Sequence, residues 1–555
     1  MPVRPAATLL SVRTIVDTIT ATAGGTGTLS VLDADGAVAA AMRWSAVHER
    51  ARRIAAVLGG AGIGPGSRVG LLADTGLDLV CTVQALWLAG AAVTVLPPPT
   101  RRANSLAAIV ADARPRLLVA DPAAVGLLSA VATGPGGPDV MSLPDLVAAA
   151  RTATPAAPGR PEPGELAVLQ YTSGSTRSPR GIPVSHANLA ANIDAMRVAT
   201  DHEALHPSRM LSWLPLHHDM GLVGFLALPM ACGCPLLLQS PAAFLRRPAG
   251  WLEAISRHRV TTSGAPNFAY ELMTAALSAG LDVALDSVRF LLTGGEPVDA
   301  AMMARFTAAA AARGLDPGAV VPAYGLAEST LGVTFTPPGR GLRADAVEAR
   351  ALECAGVAVP HPDGRRLVLL GRPVPGTSVR IADPRTGTPL GPRRVGRIEV
   401  SGPSVVGHYW GEPVPPAGSW LDTGDLGYLT GGGAADGGEL VVCGREKDVL
   451  FAAGRNVFPQ DVEAAAAEVP GVRRGAVAAF GVPSQRGDRL VVAVESRGAE
   501  PARLRRDVAA AVLAEVGLAP YAVVALPPGR LPKTSSGKLR RVETRRRYQS
   551  GELTV

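Results

Sequence analysis

Short β-rich runs alternate with helical stretches along most of the chain, and this alternation constrains the fold more than any other feature. Residues 67–73 (SRVGLLA) predict a strand, residues 79–90 a helix, and residues 91–97 (AAVTVLP) a second strand. Strands that alternate with helices are typical of α/β folds, in which helices cover a largely parallel sheet. We therefore predict an α/β fold for the larger part of the molecule.

The pattern divides the chain into two regions. Its 555 residues are more than one hydrophobic core accommodates, so several lobes are expected. Beyond Gly444 the pattern becomes that of a small α+β domain, with helices predicted at 460–469 and 503–516 and strands near 475–480 and 489–495. We predict a large, multi-lobed N-terminal domain at 1–444 and a C-terminal domain at 445–555. The Pro- and Gly-rich residues 152–164 predict a linker between lobes.

Composition excludes several classes of protein. Apolar residues make up 47% of the chain and charged residues 18%, which excludes a disordered or collagen-like chain. Five cysteines are too few for a disulfide framework, and none has the C-x2-C spacing of a zinc site. Residues 220–245 carry no charge, but their three prolines predict buried core rather than a membrane span. With no apolar signal core near Met1, we expect a cytoplasmic protein.

The net positive charge lies at the C-terminal end. The chain has a formal net charge of +7, and residues 530–547 (RLPKTSSGKLRRVETRRR) contain eight basic groups and one acid. Such a segment suits phosphates, an acidic protein partner or nucleic acid. Because Tyr548 is its only neighbouring aromatic residue, we expect no nucleic-acid binding. The only lysines, Lys447, Lys533 and Lys538, also lie beyond residue 444. In a chain so rich in arginine, a lysine indicates a position that favours a compact point charge over a planar guanidinium, although we assign Lys533 only to general attraction of phosphate.

Six motifs in a fixed order carry the chemistry. A strand runs into Tyr171-Thr-Ser-Gly-Ser-Thr176, where backbone N–H groups and hydroxyls can face an anion, although this is not a Walker loop. The other five motifs are Gly294-Gly-Glu-Pro297, Tyr324-Gly-Leu-Ala-Glu328, Trp420-Leu-Asp-Thr-Gly-Asp425, Gly444-Arg-Glu-Lys-Asp448 and Pro532-Lys-Thr-Ser-Ser-Gly-Lys538. From about residue 30 to the end, the chain resembles the adenylate-forming (AMP-binding) superfamily of acyl-CoA synthetases, luciferases and peptide-synthetase adenylation domains.

That resemblance implies a mobile C-terminal domain and an enzyme that uses ATP and Mg²⁺ to convert a carboxylic acid into an acyl adenylate. The implied β- and γ-phosphate site is Thr172, Ser173, Gly174, Ser175 and Thr176, with Glu328 and Thr172 at the metal. The implied nucleotide contacts are Gly295, Glu296, Pro297, Tyr324, Gly325, Asp425 and Arg445. Lys538 would bridge the substrate carboxylate and the α-phosphate, and Lys447 falls at the hinge between the domains. Bringing two anions together requires such cations and oriented donors.

Further features resemble one branch of the superfamily, the fatty acyl-AMP ligases. Trp213–Leu222 (WLPLHHDMGL) and Ala265–Tyr270 (APNFAY) are similar to signatures of that branch, and Ala327 stands where CoA ligases usually have Thr. Residues 343–370 look like the insertion that, in these enzymes, restrains the C-terminal domain and disfavours acyl-CoA formation. The resemblance also places His218 near the substrate carboxylate. The uncharged run after it would supply an apolar wall for the acyl chain.

We therefore predict that the chain activates a fatty acid and transfers it to the phosphopantetheine thiol of an acyl carrier protein. No carrier motif appears in the chain, so the carrier must act in trans, and Arg540, Arg541 and Arg545–Arg547 could attract such an acidic partner. A CoA ligase and an enzyme that adenylates aryl or amino acids stay open as alternatives, with Asp219 the only candidate to bind a substrate amine. The lysines and Glu328 argue against a non-catalytic scaffold.

Overall fold

The computed structural model describes residues 13–98, 104–132, 137–172, 179–201, 208–416, 418–431, 438–452, 455–484, 487–498, 500–533 and 539–553. The chain folds into two compact units, each assembled from separate segments. The first unit comprises Met1–Thr262, Leu326–Gly332 and Gly402–Ser419. The second unit comprises Ser263–Gly325, Val333–Ser401 and Trp420–Val555.

The first unit contains the strands Thr28–Leu32, Val38–Arg43, Arg68–Leu72, Ala92–Val95, Leu117–Ala120, Asp139–Ser142, Leu166–Thr172, Arg180–Ser185, Met210–Ser212 and Leu236–Leu238. Its α-helices are Ile15–Thr22, Trp44–Gly60, Leu77–Leu88, Asn104–Ala113, Pro122–Val131, Leu143–Ala150, His186–Ala199, Leu228–Cys232, Pro241–Arg246 and Gly250–Arg257. Met220–Ala227 forms a π-helix, and Ala327–Ser329 forms a 3₁₀ turn.

The predicted α/β alternation of the N-terminal region is confirmed. A six-stranded sheet has the spatial order Asp139–Ser142, Leu117–Ala120, Arg68–Leu72, Ala92–Val95, Leu166–Thr172 and Arg180–Ser185. All neighbours in it are parallel except the last pair, which is antiparallel. The inner strands consist almost entirely of buried apolar residues, as expected for strands covered on both faces.

The prediction of an inter-lobe linker at residues 152–164 is wrong. Strands before and after it lie in the same six-stranded sheet, where Ala92–Val95 pairs with Leu166–Thr172 and places Val93 opposite Val168. The segment is also held by hydrogen bonds: the Gly159 N–H donates to the Leu88 carbonyl at 2.7 Å, and Arg52 Nε donates to the Ala156 carbonyl at 2.7 Å. Its prolines therefore belong to a fixed connection inside the first unit.

The uncharged run 220–245 forms buried core, as predicted. The π-helix Met220–Ala227 is buried at every position, and the short strand Leu236–Leu238 lies in the sheet beside Thr28–Leu32. A π-helical turn widens the helix and occurs frequently at functional sites. Across the described ranges, no helix combines the length and the apolar character needed to cross a membrane.

The second unit contains all, or all but the first residue, of the strands Thr262–Ala265, Phe290–Thr293, Val320–Gly325, Gly332–Phe335, Ala344–Val347, Arg365–Val368, Arg372–Pro373, Ser378–Ala382, Gly396–Ser401, Leu421–Leu429, Leu440–Arg445, Leu450–Ala452, Arg455–Val457, Val472–Ser484, Gly487–Ser496 and Ala522–Leu526. Its α-helices are Asn267–Ser278, Ala300–Ala311, Pro459–Ala467, Pro501–Val516 and Arg541–Gln549. Pro317–Ala319 and Glu446–Asp448 are 3₁₀ turns, and Ala351–Ala355 is a π-helical turn.

The C-terminal residues have hydrophobic cores of their own. The strands Val472–Ser484, Gly487–Ser496 and Ala522–Leu526 form a three-stranded sheet, antiparallel in its first pair and parallel in its second. The helices Pro459–Ala467 and Pro501–Val516 pack on one face, and Tyr548 and Leu553 pack on the other. This is the small α+β arrangement predicted beyond Gly444.

Residues 343–370 are integrated into the fold. Ala344–Val347 and Arg365–Val368 pair as an antiparallel hairpin. Its apolar side chains share a core with residues on both sides of Gly444; the core comprises Val347, Leu352, Ala358, Leu367, Tyr428, Val441, Cys443 and Phe458. Two ion pairs also reach past residue 444: Glu353–Arg455 at 2.8 Å and Arg365–Asp461 at 2.7 Å.

Candidate active site

The strand Leu166–Thr172 leads into the predicted phosphate loop. Thr172 is its last residue and pairs with Arg180 on the returning strand. The Thr172 side chain and the four loop residues that follow, Ser173, Gly174, Ser175 and Thr176, lie outside the described residues. Two residues before Thr172, the Gln170 side chain donates from Nε2 to the His217 carbonyl at 2.7 Å. The strand that enters the loop is thereby tied to the segment that carries His218.

His218 lies in a tight turn at the start of the π-helix. Its Nδ1 is 2.6 Å from Asp219 Oδ1, and Asp219 Oδ1 also accepts the Met220 N–H at 2.8 Å. A Cβ at Gly221 would be only 2.2 Å from the Pro215 carbonyl oxygen, so the turn requires glycine there. Asp219 therefore contacts His218 and caps the helix, two roles that do not require a substrate amine. The neighbouring His217 is neutral at ordinary pH, since burial lowers its pKa to about 4.

Glu328 lies in the 3₁₀ turn Ala327–Ser329 of the first unit. Its Oε1 accepts the Tyr409 hydroxyl at 2.9 Å, and its backbone carbonyl accepts the Val406 N–H at 2.8 Å. The turn ends at Thr330 with a φ of +66°, which is rare for a β-branched residue and marks a tightly held backbone. Burial and the nearby Glu328 raise the pKa of Tyr409 to about 12, so its hydroxyl stays protonated and donates.

Tyr409 is not among the residues that the sequence predicted. It lies 81 positions after Glu328, and no local pattern links the two. The structure itself links Tyr409 to a second predicted motif: Arg180, which follows the predicted phosphate loop, places its guanidinium 3.4 Å from the centre of the Tyr409 ring. Arginine suits this contact, because its planar guanidinium can stack on an aromatic ring.

The Gly294–Pro297 loop follows the buried strand Phe290–Thr293 of the second unit. Gly295 has a φ of +79°, in the region that favours glycine. Asn267, from the predicted signature Ala265–Tyr270, supports the loop: its N–H donates to Glu296 Oε1 at 2.8 Å, and its Nδ2 donates to the Pro297 carbonyl at 2.7 Å. The signature thus shapes the loop predicted to contact adenine, a role that the sequence did not predict.

Tyr324, Asp425 and Arg445 come together in the second unit. The Tyr324 hydroxyl donates to Asp425 Oδ2 at 2.7 Å, and Arg445 Nε is 3.3 Å from Asp425 Oδ1. Asp425 is 6% exposed, and its strand neighbour Arg445 is half-exposed. Burial, followed by the Asp425 charge, raises the pKa of Tyr324 well above its usual value. Gly325 ends the strand Val320–Gly325 that carries Tyr324.

Lys447 lies in the 3₁₀ turn Glu446–Asp448, whose two ends are held differently. Arg397 Nη2 contacts Glu446 Oε1 at 2.9 Å, and Arg541 Nη1 contacts Asp448 Oδ2 at 3.4 Å. Lys538 lies outside the described residues. Lys533, five positions earlier, donates to the Gly475 carbonyl at 2.8 Å, and burial followed by Arg473 lowers its pKa.

Glu328 suits Mg²⁺ bound together with a nucleotide. Within the described ranges, no group of three or more His, Cys, Asp or Glu side chains could hold a metal ion. One oxygen of the Glu328 carboxylate accepts a hydrogen bond from the neutral Tyr409 hydroxyl, and the carboxylate forms no ion pair with a described basic residue. Magnesium is commonly held by one or two carboxylates, with phosphate oxygens and water completing the octahedron, so this donor fits.

Comparisons with known proteins give a consistent picture. The model of the AMP-binding enzyme family matches residues 35–410. The chain is 34% identical to the long-chain-fatty-acid–AMP ligase FadD26 of Mycobacterium marinum over 559 residues, covering 94% of this chain and 93% of that protein. It is 35% identical to the 4-hydroxyphenylalkanoate adenylyltransferase of Mycobacterium tuberculosis over 552 residues, covering 92% and 87%. A structure from a study of fatty acyl-adenylate ligases of E. coli and L. pneumophila has a TM-score of 0.87 at 32% identity, covering 100% and 99%.

Proposed function

The chain belongs to the AMP-binding enzyme family, and from that premise we propose that it activates a fatty acid with ATP for transfer to an acyl carrier protein. The enzyme is an acid–AMP ligase: a carboxylate oxygen attacks the α-phosphate of ATP, the bond to the β-phosphate breaks, and acyl adenylate and pyrophosphate form. The observation that carries the proposal is the buried Asp425 carboxylate, fixed by Tyr324 and flanked by Arg445. A carboxylate in this setting is suited to accept both ribose hydroxyls.

We assign the remaining roles to the residues that the family motifs indicate. The loop Thr172–Thr176 would bind the β- and γ-phosphates, and Glu328 with Thr172 would hold Mg²⁺, which neutralises phosphate charge when bound. Gly295–Pro297 would contact adenine, and His218 would lie near the substrate carboxylate. Lys538 would place one positive charge between the two reacting anions.

One assay distinguishes this function from its alternatives. The full chain is incubated with ATP and Mg²⁺ and with fatty acids, 4-hydroxyphenylalkanoic acids or amino acids in turn, and pyrophosphate release and acyl-adenylate formation are measured. We expect fatty acids to give the highest rates and added CoA to yield little acyl-CoA. Preference for an aryl or amino acid would replace the substrate class, and efficient acyl-CoA formation would make the enzyme a CoA ligase.

We propose a domain boundary near residues 444 and 445, with Lys447 at the hinge. Two observations support it. The hydrophobic cores around the Val472–Ser484 sheet consist entirely of residues beyond 449. The ion-pair partners also change across Lys447, since Glu446 contacts Arg397 whereas Asp448 contacts Arg541.

We also propose that residues 343–370 restrain the C-terminal domain. The contacts that support this are the buried pair Glu353–Arg455, the pair Arg365–Asp461 and the packing against Phe458. Deleting the insertion would be a poor test, because its apolar side chains share a core with Tyr428 and would leave that core exposed to water. Point substitutions at the ion pairs keep the packing.

Glu353→Gln should raise acyl-CoA formation several-fold while adenylation stays near the wild-type rate. The substitution keeps the size of the side chain but removes the charge that faces Arg455 across 2.8 Å, which weakens the restraint on the C-terminal domain. The matched control is Glu439→Gln. It breaks the ion pair between Glu439 and Arg343 of the insertion, which lies entirely before residue 444 and so does not involve the C-terminal domain. The measurement is acyl-CoA yield against pyrophosphate release; equal yields from wild type and both variants would contradict the proposed restraint.

Ion pairs in and around the helix Arg541–Gln549 reduce the number of arginines that are available to contact a carrier protein. Arg546 pairs with Glu543 and Glu552, and Arg547 pairs with Glu543. Arg541 is largely buried between Glu463 and Asp448. By contrast, Arg540 and Arg545 form no ion pair with a described carboxylate. We therefore assign the attraction of an acidic carrier mainly to these two.

Replacing Arg540 and Arg545 by glutamine should slow acyl transfer to the carrier, most clearly at low salt, and leave pyrophosphate release unchanged. Attraction between surface charges acts on the rate of encounter and is screened over about 8 Å at physiological ionic strength. The matched control replaces Arg497 and Arg506, two exposed arginines elsewhere in the C-terminal domain that form no ion pair with a described carboxylate, and changes net charge equally. Transfer rates are measured against salt concentration; rates that respond equally in both variants would assign the effect to net charge alone.

A further inference from the structure

Tyr409 connects a residue beside the phosphate loop to the proposed metal ligand. Its hydroxyl donates to Glu328 Oε1 at 2.9 Å, while the Arg180 guanidinium lies 3.4 Å from the centre of its ring. Arg180 begins the strand that returns from the loop, opposite Thr172. The stack and the hydrogen bond therefore connect Arg180 with Glu328 within the first unit, although these two residues belong to different sequence motifs.

The segment that carries Tyr409 is held on its other side as well. Arg180 Nη2 donates to Glu412 Oε1 at 2.7 Å, and Glu412 Oε2 accepts the Tyr409 N–H at 3.3 Å. The Trp410 N–H donates to the Gly181 carbonyl at 2.8 Å. Arg180 thus contacts the segment at two points, by stacking on the Tyr409 ring and by an ion pair with Glu412. Together these contacts fix the position of the Tyr409 hydroxyl.

The same segment holds the backbone of Glu328. The Val406 N–H donates to the Glu328 carbonyl at 2.8 Å, and Thr330 Oγ1 donates to the Ser404 carbonyl at 2.8 Å. The positive φ of Thr330 persists because these contacts determine the turn from both sides. The backbone carbonyl and Oε1 of Glu328 are therefore both held by hydrogen bonds. The other carboxylate oxygen, Oε2, has no hydrogen-bond partner among the described residues.

We propose that Tyr409 and Arg180 are positioning residues that orient the Glu328 carboxylate toward the magnesium–ATP complex. The inference rests on the proposed function, in which Glu328 is a metal ligand. Partners that hydrogen-bond to a metal-ligating carboxylate fix its orientation, and removing one typically costs 10- to 100-fold in metal affinity. Arginine suits this position better than lysine, because the planar guanidinium can stack on the ring and contact Glu412 at once.

Tyr409→Phe is the central variant, because it removes the hydroxyl and keeps the ring that Arg180 stacks on. Binding of Mn²⁺ to the enzyme with α,β-methylene-ATP is measured by electron paramagnetic resonance, and the Mg²⁺ dependence of pyrophosphate release is measured in parallel. We expect a loss of Mn²⁺ affinity of about tenfold or more, with kcat returning toward wild type at saturating Mg²⁺. Unchanged Mn²⁺ affinity and Mg²⁺ dependence would overturn the proposal.

A double variant tests whether Arg180 acts through Tyr409. Arg180→Lys alone should weaken Mn²⁺ binding, but in the Tyr409→Phe background it should have little further effect, since the link to Glu328 is already broken. Additive losses would mean that Arg180 acts directly on the nucleotide. The matched control is the Arg489–Tyr521 stack of the C-terminal domain, with 4.6 Å from the guanidinium to the ring centre. Arg489→Lys and Tyr521→Phe there should leave Mn²⁺ binding unchanged.

Glu328→Gln separates this proposal from the function on which it rests. If Glu328→Gln does not weaken Mn²⁺ binding, the metal assignment of Glu328 fails, and the positioning role fails with it. If Glu328→Gln weakens binding but Tyr409→Phe does not, only the positioning role fails. Loss in both variants, larger in Glu328→Gln, is the expected result.

Discussion

Lys538→Ala should reduce adenylation by at least ~10²-fold while the protein remains folded, in line with the removal of one charged contact to a transition state. The segment Pro532-Lys-Thr-Ser-Ser-Gly-Lys538 is polar and contains glycine next to the lysine, so the side chain is not expected to contribute to a core. Adenylation brings a carboxylate and a phosphate together, and a compact ammonium between them lowers that repulsion. The measurement is fatty-acid-dependent pyrophosphate release.

Two further variants make this test specific to a point charge. Lys538→Arg keeps the charge but should also fail, since a wide planar guanidinium cannot occupy the same position between two anions. Arg540→Ala removes a positive charge two residues away and should leave pyrophosphate release near the wild-type rate. Near-normal release by Lys538→Ala, or release as low in Arg540→Ala as in Lys538→Ala, would reject the assignment.

The local sequence pattern predicted the strands and helices of the fold, but it did not predict which segments far apart in the sequence pack together. Runs such as Leu117–Ala120 consist of apolar residues that form buried parallel strands wherever helices cover them. In contrast, the segments Leu326–Gly332 and Gly402–Ser419 fold with the first unit although they lie far along the chain. The hydrogen bond between Glu328 and Tyr409 depends on these two segments packing together, and the hydrophobic periodicity of the sequence does not predict that packing.

The incorrect linker prediction has a related cause. Prolines and glycines at residues 152–164 exclude regular secondary structure, and the sequence pattern gives no sign of distant partners. In the fold, the Gly159 N–H and the Ala156 carbonyl find partners at Leu88 and Arg52, about a hundred positions earlier in the second case. Irregular backbone can thus be as firmly fixed as a strand when tertiary hydrogen bonds satisfy it.

The basic C-terminal segment shows which part of an electrostatic prediction a sequence can support. The pairs of Glu543 with Arg546 and Arg547 have the i,i+3 and i,i+4 spacings that bring side chains together on a helix, so they could have been predicted. The pair of Arg541 with Glu463 spans 78 positions and requires the fold. Counting charges alone therefore overestimated how many arginines are available to a partner.

Asp425→Ala should lower kcat/KM for ATP by about 10²-fold or more. A hydrogen bond to a charged group contributes about 1.5–3 kcal/mol, and the proposal assigns Asp425 two ribose hydroxyls. The matched control is Asp422→Ala: Asp422 lies on the same strand, is exposed and contacts Arg397 at 3.2 Å. Asp422→Ala also removes a carboxylate that contacts an arginine, but its kcat/KM for ATP should stay near the wild-type value.

The hydroxyl of Tyr324 allows the binding loss to be separated from a loss of stability. In Asp425→Ala, this buried hydroxyl loses its acceptor, which costs about 1–3 kcal/mol of folding free energy and should lower the melting temperature. The double variant Tyr324→Phe with Asp425→Ala removes the stranded hydroxyl and should recover part of that stability. Because the ribose contacts remain absent, kcat/KM for ATP should stay as low as in Asp425→Ala. Recovery of kcat/KM together with the melting temperature would show that Asp425 supports the fold rather than the nucleotide.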